Sequence, residues 1–204
     1  MKGLLIKDYY TLLKQMKLYL FFIVVLSLFQ SMSLSGLAVV YAAMLPITAL
    51  AYDERSKWDN LAATMPYSSA DLVLSKYLLG YLSVLISCVL IFAVEFVASA
   101  YKQIPFTPEQ GITILLVGCV GVALLAVNLP FMFWLGVEKG RIIYFVLIAA
   151  TVFLGMMAGE QIKRALSQVN LSIAGLSSAV AAATLLLNVS SIWISINVYR
   201  RKRG

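Results

Sequence analysis

The chain has 204 residues, of which 62% are hydrophobic and only 12% are charged. A soluble domain is about half apolar and about a quarter charged, so this composition predicts a protein that lies in lipid. The net charge is +7, but the basic residues stand at the ends of apolar runs, which is typical of membrane topology and argues against nucleic-acid binding. The two Cys lie within apolar runs, which argues against a disulfide framework.

The N-terminal segment 1–17 is expected to form an amphipathic helix. Leu5, Tyr9, Leu12 and Met16 recur at spacings of 4, 3 and 4, the pattern of one helical face. Such a helix is predicted to lie in the inner membrane interface. The alternative is a plain cytosolic start to the first span.

Residues 18–52 carry no charge and are too many for one span. A helix of this length would extend about 52 Å at about 1.5 Å per residue, whereas the hydrocarbon core is about 30 Å thick. The small, turn-prone stretch SMSLSG, at 31–36, divides the run and predicts a helical hairpin. Four further apolar runs follow. The predicted transmembrane helices are 18–34, 36–52, 74–100, 111–135, 142–158 and 171–198.

The basic residues favour this count of six spans. With both termini in the cytoplasm, 13 of the 16 Lys and Arg lie inside, and only Lys102, Lys163 and Arg164 lie outside. Joining the first two spans would leave 7 inside and 9 outside, against the positive-inside rule. The predicted fold is therefore an all-α membrane protein, with a short external helix at about 162–169 before the last span.

One polar interval, AYDERSKWDNLAATMPYSSADLVLSK at 51–76, interrupts the apolar sequence. Within it Trp58, Leu61 and Met65 recur at helical spacing, which predicts a short amphipathic helix over 53–66. On the predicted topology this helix lies in the cytoplasm between spans 2 and 3.

The ends of this helix also have sequence signals. Asp53 is expected to cap its start, and Pro66 is expected to end it, because the residue before a proline disfavours helix. The stretch from Ser68 to Asp71 has the form of a capping box, which predicts the start of the next helix.

Two functions fit this loop helix. It can be an interfacial helix anchored by Trp58, or a docking site for a soluble protein. A membrane anchor near anionic lipid favours basic residues. Asp53, Glu54 and Asp59 here alternate with bases, and this mixed charge favours a protein partner.

The loop resembles the signature of short type-2 ABC transporter permeases. That signature has an acidic pair, a basic residue before Trp, a Pro, a Ser, and a Val-x-x-x-Lys-Tyr ending. The opening LLIKDYY and the six-span plan are also similar to this family, and among its groups the chain resembles the permease subunit of phenol-soluble-modulin and antimicrobial-peptide exporters. The matching residues are Asp53, Glu54, Lys57, Trp58, Pro66, Ser68, Lys76 and Tyr77.

The resemblance implies a permease subunit and not an enzyme. This subunit would export an amphipathic or hydrophobic substrate, with a peptide as the expected cargo, across a bacterial plasma membrane. It implies two permease chains, identical or different, and two copies of a cytosolic ABC ATPase. This chain has no G-x-x-x-x-G-K-[ST] motif, so ATP and Mg²⁺ are expected in the ATPase and no cofactor in the permease. The 53–66 helix would be the coupling helix, docking through Asp53, Glu54, Arg55, Lys57, Trp58, Asp59 and Leu61.

Two polar residues inside the spans are candidates for the substrate pathway. Glu95 is the one acid within an apolar run, where an ionisable group indicates function unless it reaches the interface. Asn128 lies in span 4 beside Pro130, and prolines there and at Pro46 are expected to kink their helices.

Other function classes fit less well. A membrane-embedded protease or zinc enzyme needs His ligands, paired Asp or a Ser–His dyad, and the sequence has no His. A self-sufficient channel or carrier tends to show several intramembrane charges and internal repeats, which are absent from this sequence. A membrane scaffold, sensor or immunity subunit built on the same fold stays open.

Overall fold

The structure is a computed structural model that describes residues 2–28, 32–103, 107–168 and 173–203. These residues are almost entirely helical, as the sequence predicts, and none of them forms a strand. The helices in chain order are α1 (Lys2–Leu28), α2 (Met32–Ala43), α3 (Leu45–Arg55), α4 (Trp58–Ala63), α5 (Ser69–Lys102), α6 (Pro108–Leu135), α7 (Val137–Gln168) and α8 (Ile173–Arg203).

Four stretches of the described chain are long and apolar enough to cross a membrane. They correspond to predicted spans 2, 3, 4 and 6. The first and fifth predicted spans are not among them, so the count of six and the position of both termini stay predictions. The four stretches are Gly36–Arg55, Ser69–Tyr101, Gln110–Leu135 and Ser177–Lys202.

Two predicted boundaries are wrong. The amphipathic segment 1–17 and the start of span 1 form one uninterrupted helix, α1, which ends at Leu28. The external helix predicted at 162–169 is not a separate element in the described residues, because α7 runs without a break from Val137 to Gln168. No proline lies at either predicted joint, and Gly159 at the second joint does not end α7, because a glycine inside a helix costs only about 1 kcal/mol relative to alanine.

Span 2 is broken where its proline predicts a kink. α2 ends at Ala43, Met44 forms a turn, and α3 begins at Leu45 with Pro46 in its first turn. A proline has no N–H for the preceding turn, and the first turn of a helix is where it is tolerated.

Glycines allow the helices of the bundle to pack closely. A Cβ on Gly121 of α6 would collide with the Val39 side chain of α2, and one on Gly80 of α5 would lie 2.9 Å from Leu125. Such close packing between helices is characteristic of membrane proteins, where small residues lie at the interfaces.

Five helices share one apolar cluster at the end of the bundle that carries α4. Leu4 of α1, Ala62 of α4, Tyr77 of α5, Leu129 of α6 and Tyr199 of α8 are all buried in it. The short helix α4 is therefore packed onto the bundle, and its position depends on α1, α5 and α8.

Candidate functional site

Four charged side chains meet at the inner end of the bundle. Lys7 and Asp8 come from α1, Asp53 from α3 and Lys76 from α5. Asp8 and Lys76 are almost completely buried, with side-chain exposures of 1% and 5%. Isolated charges of this kind are costly to bury, so each must have partners of opposite sign.

The pairing within this ion cluster is reciprocal. Lys76 Nζ lies 2.7 Å from Asp8 Oδ2 and 2.6 Å from Asp53 Oδ2. Lys7 Nζ lies 2.9 Å from Asp8 Oδ1 and 2.5 Å from Asp53 Oδ1. The two positive and two negative charges therefore balance, and the ion cluster joins α1, α3 and α5.

Lys7 also connects the cluster to α4. Its Nζ lies 4.4 Å from the ring centroid of Trp58, close enough for a cation–π interaction. Burial lowers the pKa of Lys7, but the hydrogen bond to Asp53 and the charges of Asp8 and Asp53 outweigh burial and raise its pKa above 10.5. Lys7 therefore stays charged at neutral pH.

Glu54 has a structural role of its own. The backbone N–H of Val137, at the start of α7, donates a hydrogen bond of 2.9 Å to Glu54 Oε2. The first N–H groups of a helix lack partners within it and favour a negative charge. Gly136 makes the turn before α7 at φ +82°, and a Cβ there would lie 3.3 Å from the Glu54 carboxylate. Glu54 thus ties the end of α3 to the turn between α6 and α7.

Asp59 binds the far end of the chain. The hydroxyl of Tyr199 on α8 donates a hydrogen bond of 2.8 Å to Asp59 Oδ1. Three of the predicted docking acids, Asp53, Glu54 and Asp59, are therefore engaged by this chain itself.

The outward side of the loop carries the remaining predicted residues. Arg55, Lys57 and Leu61 are exposed, and the Leu61 side chain is 51% exposed. Trp58 and Ala62 form the inward side, so of the predicted apolar face Trp58 packs onto the bundle whereas Leu61 does not.

The helix is also shorter than predicted. α4 extends only from Trp58 to Ala63, and Asp53 belongs to α3. Lys57 precedes α4 in the left-handed conformation, with φ 50° and no capping side chain, so the prediction that Asp53 caps this helix is wrong. The capping box of the next helix is confirmed, since Asp71 N–H donates to Ser68 Oγ and Ser68 N–H donates to the Asp71 carboxylate.

A cavity of about 410 Å³ opens between the ion cluster and α4. The Trp58 indole lines it, and its Nε1 is buried without a hydrogen-bond acceptor among the described residues. Such an unpaired donor costs about 1–3 kcal/mol. The other lining residues include Lys7, Asp53, Glu54, Asp59, Lys76, Gly136, Tyr199 and Lys202.

The two predicted pathway residues lie apart from this site. Glu95 is half-buried in the second half of α5. Asn128 is fully buried in α6, and neither its Nδ2 nor its Oδ1 has a hydrogen-bond partner in the described part of the chain. It lies one helical turn before Met132, which lines the cavity.

A polar stripe on α8 was missed by the sequence interpretation. Thr184, Asn188, Ser191 and Ser195 are all buried and follow one another at spacings of 4, 3 and 4. The hydroxyl of Tyr81 donates to Asn188 Oδ1 at 2.8 Å, which joins the stripe to α5. The helical spacing was a readable signal, because polar residues on one face of an apolar helix indicate a partner inside the bundle.

The ion cluster was missed as well. The sequence interpretation names Lys76 only among the residues that match the family signature, and includes Asp8 only within the opening LLIKDYY. The available signal was Asp8 itself, the one acid among the bases of the N-terminal helix. The inward face of that helix is Leu4, Asp8 and Leu12, whereas Tyr9 of the predicted apolar face is 49% exposed.

Among the described residues no group of His, Cys, Asp or Glu is arranged to hold a metal ion. The chemistry of the described site is ion pairing and hydrogen bonding.

Comparison with known proteins supports a transport role. A family model described as "ABC-2 family transporter protein" matches residues 3–200, which is nearly the whole chain. No curated protein and no solved structure gave a match. The family supplies the membrane-embedded permease of ABC transporters, whose ATPase is a further component. With its family match, its apolar helices and its polar loop, this chain belongs to the ABC-2 family of transporter membrane proteins.

Proposed function

We propose that this chain is the permease subunit of an ATP-driven exporter and that α4 with its flanking residues is its docking site for the ATPase. The observation that carries this proposal is the two-sided construction of the loop. Its inward side packs onto the bundle and contacts Lys7 of the ion cluster, while Leu61 is an exposed apolar side chain on the outward side. Arg55 and Lys57 of the same loop are exposed as well, and an apolar residue in a charged segment is suited to a protein contact.

The acidic residues of the loop, which suggested docking, are bound within this chain. Asp53, Glu54 and Asp59 position the loop, so the side chains offered to the ATPase are Arg55, Lys57 and Leu61.

Force transmission follows from these attachments. ATP binding closes the two ATPase subunits, and α4 moves with the surface on which it is seated. Because Asp59 of α4 is bound to Tyr199, a displacement of α4 reaches α8 directly. It reaches α5 through the adjoining end of α3, where Asp53 is bound to Lys76. The energy comes from the different affinities of ATP for the open and closed ATPases.

The proposed cargo is an amphipathic peptide moved between two copies of the permease, identical or different, across a bacterial plasma membrane. The resemblance to peptide exporters supports this class. Glu95 within the apolar run of α5 would complement a cationic peptide, and Asn128 would offer it hydrogen bonds.

The test is co-purification with the ATPase encoded beside this chain. The tagged permease should retain a P-loop subunit in detergent, and the complex should hydrolyse ATP. Leu61→Glu combined with Lys57→Glu should abolish retention without loss of membrane insertion. Lys139→Glu, an exposed base at the start of α7, is the matched control and should retain the ATPase. A wild-type chain that purifies alone contradicts the proposal.

A further inference from the structure

Pro130 leaves one carbonyl of α6 without its helical donor. The proline lies inside the helix, which runs from Pro108 to Leu135. In an α-helix the N–H of residue 130 would bond to the carbonyl of residue 126, and a proline has no N–H. Ala126 is buried, at 3% exposure, so its carbonyl needs another donor.

That donor comes from α8. Ser191 Oγ donates a hydrogen bond to the carbonyl of Ala126, 65 positions earlier in the chain. Ser191 also contacts the Tyr77 hydroxyl on α5, at 2.5 Å between oxygens, and Tyr77 contacts Ser195 at 2.8 Å. Three helices thus meet at the point where α6 lacks a ladder hydrogen bond.

The number of hydrogens fixes the direction of this chain of bonds. Ser191 has one hydroxyl hydrogen, and it is used on the Ala126 carbonyl. Tyr77 must therefore donate to Ser191, and Ser195 must donate to Tyr77. Every member depends on the next, so removal of one hydroxyl leaves a buried partner unsatisfied.

The same face of α8 continues to the docking loop. Tyr199 follows Ser195 by four residues, on the same face, and binds Asp59 of α4. From Ser191 to Tyr199 the helix rises about 12 Å at about 1.5 Å per residue. One helix therefore contacts the proposed docking site at its end and the proline of α6 further into the membrane.

Space for movement lies directly beside the proline. A groove of about 310 Å³ between α6 and α8 is lined by Ala126, Pro130, Trp134, Leu187 and Ser191, among others. The residues that line this groove are mostly apolar.

We propose that Ser191 and Tyr77 are positioning residues for transport. Through them α8 holds α6 at Pro130, and movement of α4 passes along α8 to this point. The inference rests on the proposed function, because it assigns to α8 the transfer of movement from the docking site. It adds residues of α5, α6 and α8 that the docking site itself does not contain.

A double-mutant cycle tests the hydrogen bond first. In the purified full-length chain, Ser191→Ala is expected to lower the melting temperature by about 2–4 °C. Ser190→Ala is the matched control, because Ser190 is exposed and bonds within α8 to the carbonyl of Leu187. In the Pro130→Ala background the new N–H can bond Ala126, so the effect of Ser191→Ala should shrink. An equal loss in both backgrounds overturns the assignment.

The second measurement separates positioning from packing. In proteoliposomes with the ATPase and a cationic amphipathic peptide, Ser191→Ala and Tyr77→Phe should lower the peptide exported per ATP hydrolysed several-fold. Ser191→Thr, which retains the hydroxyl, should restore the ratio. If both variants melt earlier but keep the wild-type ratio, the residues are structural only and the proposal is wrong. A wild-type chain that binds no ATPase contradicts the proposed function instead. The double-mutant cycle then still tests whether Ser191 bonds to the carbonyl of Ala126, because it does not need the ATPase.

Discussion

Asp8 and Lys76 form an ion pair that is buried at the inner end of the bundle, although 68 positions separate them in the chain. The Lys76 ammonium lies 2.7 Å from one Asp8 oxygen and 2.8 Å from the other. Asp53 shares the same ammonium at 2.6 Å, so the last turn of α3 is held by the helices on either side of it. The position of the docking loop is therefore set by buried charge.

Replacement of one charged residue of this cluster should lower the stability of the fold more than replacement of an oppositely charged pair. Asp8→Ala leaves Lys76 and Lys7 to share Asp53, and breaking a buried ion pair in this way costs about 3–5 kcal/mol. Asp8→Leu combined with Lys76→Met retains the pair of Lys7 and Asp53 and should lose less. Thermal unfolding in detergent measures both, with Lys139→Ala as the exposed control. A double variant less stable than Asp8→Ala would contradict the arrangement.

The two buried asparagines should respond in opposite directions to Leu. Asn128 has no hydrogen-bond partner in the described structure, so Asn128→Leu removes an unsatisfied polar group and should raise stability by about 1–3 kcal/mol. Asn188 accepts from Tyr81 and donates to the carbonyl of Thr184, so Asn188→Leu should lower stability.

Peptide export by the Asn128→Leu variant tests whether Asn128 serves the substrate. If Asn128 serves the substrate, Asn128→Leu should be more stable yet export less peptide. A variant that is more stable and exports at the wild-type rate would exclude Asn128 from the pathway. A destabilised Asn128→Leu would show instead that the amide has partners in the folded chain.

Two glycines should also differ. Gly136 has φ +82°, which an alanine adopts only with strain, and its Cβ would approach Glu54 at 3.3 Å. Gly136→Ala should destabilise the chain by more than about 1 kcal/mol and loosen the contact of Glu54 with Val137. Gly36→Ala is the control, because no atom lies within 4 Å of its added Cβ, and it should be neutral or stabilising. Equal melting temperatures for the two variants would contradict the required turn at Gly136.

The bond between α8 and the docking loop predicts an uncoupling variant. Tyr199→Phe removes the hydroxyl that binds Asp59 but retains the ring that packs against Phe133. Stability should fall by about 1 kcal/mol, while export per ATP hydrolysed should fall several-fold. Tyr101→Phe, at a side chain that is 90% exposed, serves as the control. If the ratio is unchanged, α8 does not receive movement through Tyr199.

The sequence predicts the long apolar helices well because hydropathy and length are local properties. The capping box at Ser68, the break of span 2 near Pro46 and the close approach at Gly121 follow from residue types with a single strong preference. The predicted boundaries within α1 and α7 could not be placed, since both helices run on through changes of polarity and neither contains a proline there.

The candidate site was found only in part, for a different reason. The motif around Trp58 identifies the loop, but the sequence does not show which way a charged side chain of that loop points. The acids Asp53, Glu54 and Asp59 suggested a surface for a partner, and their actual partners are Lys76, Val137 and Tyr199, which lie far along the chain. Only the packing of α4 determines that Leu61 and not Trp58 faces outward.

Site-specific photo-crosslinking from Leu61 tests the central claim most directly. A benzophenone amino acid at position 61, in the chain co-expressed with its neighbouring ATPase, should yield a crosslinked product that contains both subunits. The same probe at Tyr101, which is exposed at the end of α5 remote from α4, should yield none. Crosslinking from position 61 alone would establish α4 as the docking site. Co-purification of the ATPase without crosslinking from position 61 would contradict the account.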